Sequence, residues 1–302
     1  MSIQGVCPVL SVPFHKTGEV DFASFERMAQ WIISLGTKSV LFFGVASENI
    51  KLNDDERYKL LEILLRTREG SQLQVIASVA DHSADLAVRR AKDYESMGTD
   101  YINILPPTFF NPTPAQINHH ISSILASVKL PVIVQHLPQG GGVNDVGDLV
   151  TLSAKFDNLK MIKCEANPPA ESIKRVHQLS NNKVETLIGW GGIHWATGAA
   201  AGAKGIQPGC SLSDLYLWAE QALLDKNLVE FEQRLEKFLP VISEWISTIE
   251  ELVAAEKFIL AQRGIIESDY CRAPTAVLTE KMKTQALSLI ELAQSTTTVW
   301  KR

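Results

Sequence analysis

The sequence predicts an α/β protein, a (β/α)8 TIM barrel with three additional C-terminal helices. Three observations carry this. Apolar strand-like runs alternate with helical patterns through the first three quarters of the chain, which is the signature of parallel βαβ units. Several of those runs are continuously apolar, as expected where both faces of a parallel sheet are covered. The first strand then runs into Ser11-Val12-Pro13-Phe14. An open doubly wound sheet would place a glycine-rich phosphate turn there. A closed barrel takes about 250 residues, and the 302 residues hold one with an appendage.

Taken in order, strands are expected at 5–13, 39–44, 73–79, 101–105, 131–138, 160–166, 184–189 and 202–208. Helices fall between them at 22–35, 54–68, 84–97, 114–127, 145–156, 170–179 and 193–201, with an eighth at 212–224. Gly36 and Gly98 suit the C-terminal ends of the first and third helices. Asn53, followed by Asp54-Asp55-Glu56, offers the second an N-cap and acids in its first turn. Pro114 fits the first position of the fourth. Asn167-Pro168-Pro169 closes the sixth strand and hands over to the sixth helix. Residues 1–225 form the barrel on this reading. Residues 226–302 form a helical extension at 228–246, 248–263 and 275–293, apolar enough to pack on the barrel or on a second subunit. No linker or low-complexity tract divides the chain.

Composition narrows the function. The chain is 45% hydrophobic and 21% charged, ordinary for a globular protein, and its net charge of −5 gives no basic footprint for nucleic acid. No basic amphipathic stretch, transmembrane-length apolar run or signal-peptide pattern is present, so a cytoplasmic location without membrane contact is expected. Cys7, Cys164, Cys210 and Cys271 are far apart and lack metal-ligand spacing, the pattern of reduced thiols. His119 and His120 are adjacent on a helix and point in different directions. No metal site is expected.

Lys163 is the anomaly. It stands in an apolar strand beside Met161 and Ile162, where an unpaired charge is costly. Burial favours a neutral amine, and a neutral amine attacks carbonyls to form a Schiff base. The alternative is a lysine that snorkels or pairs with Glu165. Barrel geometry puts active sites at the C-terminal strand ends. That rule gathers Gly44–Glu48, Pro106–Phe110, the segment from Gln135 to Gly142, Lys163–Glu165, Gly189–Gly192 and Gln207–Gly209 toward one pocket. Neighbours on a strand face opposite ways, so Gln135 and His136 cannot both enter it in regular geometry. Trp190 offers either a pocket wall or packing beneath the mouth. Glu48 reads as an acid at a helix start.

These segments resemble, in order and spacing, the dihydrodipicolinate synthase and N-acetylneuraminate lyase family of class I aldolases. The family's strand-two motif, Gly-Thr/Ser-Thr-Gly-Glu, is represented by Gly44-Val45-Ala46-Ser47-Glu48. Its strand-five Tyr-Asn-x-Pro is represented by Gln135-His136-Leu137-Pro138, and its strand-six lysine motif by Ile162-Lys163-Cys164-Glu165. The resemblance spans essentially the whole chain. It implies that Lys163 forms a covalent imine with a 2-oxo acid, pyruvate or a longer one, with no other cofactor. It implies that backbone N–H groups at Ala46 and Ser47 hold the substrate carboxylate, and the strand-end rule adds Gly189 and Gln207 as substrate-binding candidates. The family's tyrosine relay is replaced: Gln135 stands for one tyrosine, Val45 and Ala46 for the hydroxyl residues, and Pro107-Thr108-Phe109-Phe110 for the second tyrosine's segment. The synthase-type arginine after strand five is absent from Gln139-Gly140-Gly141-Gly142, which reads as a lid or a turn.

The expected function is therefore a Schiff-base lyase, an aldolase or dehydratase, and not a genuine dihydrodipicolinate synthase. Gln135, Lys163 and Glu165 are its catalytic candidates, and the family's habit implies a homodimer or homotetramer. The alternative is a barrel that binds a 2-oxo acid or a partner without turnover.

Overall fold

The structure, a computed structural model, describes residues 2–138 and 145–296. Residues 139–144, where a lid or a turn is expected at Gly140, Gly141 and Gly142, lie outside the described residues. Eight strands run in the order β1-β8-β7-β6-β5-β4-β3-β2, the order of a (β/α)8 barrel. They are β1 (Gly5–Val6), β2 (Ser39–Phe42), β3 (Gln74–Val79), β4 (Tyr101–Ile104), β5 (Val132–His136), β6 (Leu159–Cys164), β7 (Glu185–Ile188) and β8 (Gly205–Ile206). The helices α1 (Phe22–Ser34), α2 (Asp54–Thr67), α3 (Ala84–Met97), α4 (Pro114–Ser127), α5 (Val146–Ser153), α6 (Ala170–Ser180) and α7 (Trp195–Ala200) connect them. After β8 come α8 (Ser213–Leu224), α9 (Leu228–Glu236), α10 (Leu239–Trp245), α11 (Ile249–Gln262) and α12 (Glu280–Thr296).

The chain forms two compact units, Met1–Gly5 with Gln74–Gln207 and Val6–Leu73 with Pro208–Arg302. In the first, β3 to β8 pair in parallel, and the register sets Gln135 beside Lys163, Lys163 beside Leu187 and Leu187 beside Gly205. Val75, Ile76, Ile102, Val132, Ile133, Val134, Met161 and Ile162 are fully buried on both faces of these strands, which is why they read as unbroken apolar runs. β8 is short. Gly205 lies so close to Gly5 that a Cβ would sit 2.3 Å from its carbonyl oxygen, and Pro208, two residues beyond β8, cannot donate to a ladder.

In the second unit the caps read from sequence are present. Asn53 accepts from Glu56 N at 2.9 Å while the Glu56 carboxylate accepts from Asn53 N at 3.0 Å, a complete capping box on α2. The expected helix 228–246 is two helices. Pro240 stands in the first turn of α10, where its missing N–H is harmless, whereas continuing α9 through it would lose a hydrogen bond and clash. The last helix begins at Glu280, with the Thr279 hydroxyl accepting from Met282 N at 3.2 Å. All four cysteines are buried and unbridged. Among the described residues no helix is long and apolar enough to cross a membrane.

Candidate active site

The first unit brings four of the expected residues together. Gln135 and Lys163 share a register position on adjacent parallel strands and so point to the same face, while His136 and Cys164 take the other. Lys163 is 5% exposed, and its Nζ lies 3.4 Å from Glu165 Oε1. The Gln135 amide donates to the other oxygen, Oε2. Trp190 adds two bonds: its N–H donates to Oε1 at 3.3 Å and its indole N–H to the Glu165 carbonyl at 2.8 Å. A buried carboxylate without partners would cost several kcal/mol. Here Glu165 meets a cation, an amide and a backbone N–H. Cys164, between the lysine and the acid, is buried, and burial pushes its thiol pKa well up, which keeps it protonated.

Gly189 makes the arrangement possible. A Cβ there would sit 1.6 Å from Glu165 Oε1 and 2.7 Å from Lys163 Cε. The next three residues, Trp190, Gly191 and Gly192, all have positive φ (52°, 55° and 76°). A tryptophan held left-handed stores about 1–2 kcal/mol. It does so at the residue whose N–H grips Glu165, which fits strain kept for function. Sequence reasoning treated Trp190 as wall or packing and missed this grip. Its two donors become visible only once the backbone turns. Gln207 is buried, and its N–H donates to Ile188 O at 2.8 Å, tying the end of β8 to β7.

The second unit holds the strand-two turn. Gly44 approaches Val9 and Leu41 so closely that a Cβ would meet their side chains at 2.9 and 3.3 Å. Val45–Ser47 then form one 3₁₀ turn. Ser47 N–H is spent on Gly44 O at 3.0 Å, and Glu48 N–H on Val45 O at 3.1 Å. The N–H groups with no backbone acceptor among the described residues are those of Val45 and Ala46, at the turn's N-terminal end. The Ser47 hydroxyl is fully buried and, among the described residues, has no hydrogen-bond partner. Open N–H groups and an orphan hydroxyl are the equipment of an anion site.

Glu48 departs from its reading as a helix-start acid. It stands left-handed (φ 53°) between two 3₁₀ turns, while α2 begins only at Asp54. It is 3% exposed and pairs with Lys51 at 3.0 Å and with Lys257. His120 is buried, and burial lowers its pKa to about 4, so it is neutral at pH 7. His15, Asp21 and Glu267 bring ligand-type atoms within 4.8 Å of one another. Asp21 is already spent capping α1 through Ser24 N at 2.9 Å and Ser24 Oγ at 2.5 Å.

Residues 2–293 match the sequence profile of the dihydrodipicolinate synthetase family. The chain belongs to this family. Among its relatives, the 4-hydroxy-tetrahydrodipicolinate synthase of Thermotoga sp. (strain RQ2) is 27% identical over 190 residues, 63% of this chain and 64% of that protein. The match thus spans just under two thirds of that synthase's length. The L-2-keto-3-deoxyarabonate dehydratase of Azospirillum brasilense is 23% identical over 292 residues, covering 95% of this chain and 93% of the dehydratase. Two solved family structures superpose closely. The dihydrodipicolinate synthase from Rhodopseudomonas palustris gives a TM-score of 0.87 at 21% identity, over 96% of this chain and 97% of that one. The Proteus mirabilis N-acetylneuraminate lyase gives 0.85 at 21%, over 96% and 98%. At such identities the likeness to solved structures is one of fold.

Proposed function

We propose that this family member is a Schiff-base lyase, an aldolase or dehydratase, acting on pyruvate or a longer 2-oxo acid through Lys163. The observation that carries the reading is the buried Lys163–Glu165 pair, 3.4 Å apart, with the carboxylate also held by Gln135 and Trp190. Glu165 takes a proton from the ammonium, and Nζ attacks the substrate ketone. Glu165 then returns that proton to the carbinolamine hydroxyl, which leaves as water and leaves an iminium. That iminium draws electrons from the adjacent bond: either Glu165 takes the proton of a β-hydroxyl and the C–C bond breaks to an aldehyde and an enamine, or Glu165 takes the α-proton and returns it to the β-hydroxyl, which leaves as water. Glutamine has no proton to exchange near neutral pH. Gln135 therefore positions Glu165, and Glu165 is the acid–base group. The strand-two turn takes the substrate carboxylate through Val45 and Ala46 N–H and the Ser47 hydroxyl. Gly189 keeps room for the lysine, and Gln207 fixes the end of β8. Neither metal nor external cofactor is required.

The exchange of the tyrosine for Gln135, with Val45 and Ala46 in the hydroxyl positions, supports a lyase distinct from the synthase. It also motivates the second reading, a barrel that binds a 2-oxo acid or a partner without turnover. The proposal includes a homodimer or homotetramer working in the cytoplasm. The test is a turnover screen of pyruvate with small aldehydes, and of longer 2-oxo acids in the cleavage and dehydration directions, against Lys163→Ala. Product from the parent alone supports the lyase. Binding without product favours the second reading.

A further inference from the structure

Lys257 is a second buried lysine, and the imine chemistry does not use it. It lies on α11, is 0% exposed, and forms an ion pair with Glu48. Its Nζ sits 4.1 Å from the centre of the Phe14 ring and donates to Tyr270 O at 3.2 Å. Burial lowers its pKa, and Glu48 opposes that effect. The other Glu48 oxygen accepts from Lys51, which is itself bonded to Glu250 and to Pro274 O, both at 2.7 Å. Both oxygens of Glu48 are therefore anchored to lysines inside one unit.

This pair stands at the C-terminal end of the turn. Glu48 follows the Val45–Ser47 turn directly, and its N–H closes that turn on Val45 O. The turn's middle residue, Ala46, packs against Val253 and Ala254 of α11, with Cys271 and Leu278. Val253, Ala254 and Lys257 lie three and four positions apart, on one helix face. A single face of α11 thus holds the turn twice, by an apolar contact at Ala46 and by a charge at Glu48. An ion pair this deep is a poor source of net stability, since an apolar pair of the same shape often serves as well. What it does supply is a fixed direction.

We infer that Lys257 is a positioning residue: its pair with Glu48 aims the open N–H groups of Val45 and Ala46, and through them sets affinity for the substrate carboxylate. The inference rests on the proposed carboxylate-binding role of this turn. It does not require imine formation.

The test uses the full chain and pyruvate, with binding measured by calorimetry and imine formation followed separately by borohydride trapping. The variants are Glu48→Gln, Lys257→Met and the double variant, in which neither charge is left buried alone. Each single variant should weaken pyruvate binding by about tenfold or more, and the trapping rate at saturating pyruvate should stay near the parent's. The decisive readout is the double variant. It should regain thermal stability and still bind pyruvate weakly. Recovery of affinity along with stability would make the pair merely structural and overturn the inference, as would parent-like binding in Glu48→Gln. If a single variant fails to fold, the double variant still decides. A parent that binds pyruvate but yields no adduct sinks the lyase reading and leaves this inference to the binding data. A parent that binds none overturns both.

Discussion

Gly189 marks how tightly the residues around Lys163 are fitted. The site has no space for even one methyl group there, since it would fall 1.6 Å from Glu165 Oε1. Gly189→Ala must push the carboxylate or the lysine aside. Displacement of a catalytic group by about 1 Å costs roughly a hundredfold in rate. The trapping rate at saturating pyruvate should fall by that order, with the far-ultraviolet circular dichroism of the fold kept. An unchanged rate would mean that Glu165 need not sit where it does. At this scale the sequence was legible where a residue offended its surroundings. Lys163 in an apolar strand is visible without a structure. Glu48 was misread, because an acid just ahead of a helix always has a local explanation. Of its two lysine partners, Lys51 is local, but Lys257 is 209 positions away (257 − 48), beyond any periodic pattern. Trp190 was half legible: its place in the mouth followed from the strand order, whereas its grip on Glu165 follows from a φ of 52°.

Elements were legible where caps announce them. Asn53 with its acidic first turn, Pro114 in the first turn of α4, and Gly98 at φ 99° all stand at the predicted ends. The α2 cap can be tested by itself: Asn53→Ala removes the acceptor for Glu56 N and should cost about 1 kcal/mol. A chemical-denaturation midpoint lowered to match, with pyruvate trapping unchanged, is the expected result. A larger loss, or a change in trapping, would show that the cap also tunes the Glu56–Arg272 contact, which closes at 2.8 Å. Boundaries set by tertiary packing were harder to read. The apolar pattern of 228–246 continues across Pro240, so periodicity reports one helix where the backbone makes two. β1 and β8 are only two residues each, although their apolar runs are longer. Pro8 and Pro208 withhold donors there.

For the whole molecule, the alternation of eight strands and helices was enough to give the fold, since that order has few other solutions. Buried ionisable groups make its stability depend on pH in opposed directions. Glu256 on α11 is buried against Gly209, accepts from Ser211 N at 2.8 Å and lies near Arg263. Burial raises its pKa from 4.5 to about 6. The folded state therefore holds this proton more tightly than the unfolded chain does. The stability it contributes is full below pH 4.5 and is lost as pH rises through 6, about 2 kcal/mol in all. His120 has the opposite sign. Its pKa is lowered from 6.5 to about 4, so its contribution is present above pH 6.5 and is lost as pH falls through 4. A raw stability curve mixes the two. The difference between the parent and Glu256→Gln isolates the first, and it should change by about 2 kcal/mol between pH 4 and pH 7 in favour of the variant at the higher pH. A flat difference would mean that Glu256 is solvated.

Lys163, and not the other buried lysine, is the proposed nucleophile. Its most direct test is to trap the protein with pyruvate and borohydride, digest it, and locate the adduct by peptide mass. A single reduced pyruvyl group on the peptide carrying Lys163, absent from Lys163→Ala, is the predicted result. An adduct on Lys257, or none with pyruvate or with longer 2-oxo acids, would contradict the account.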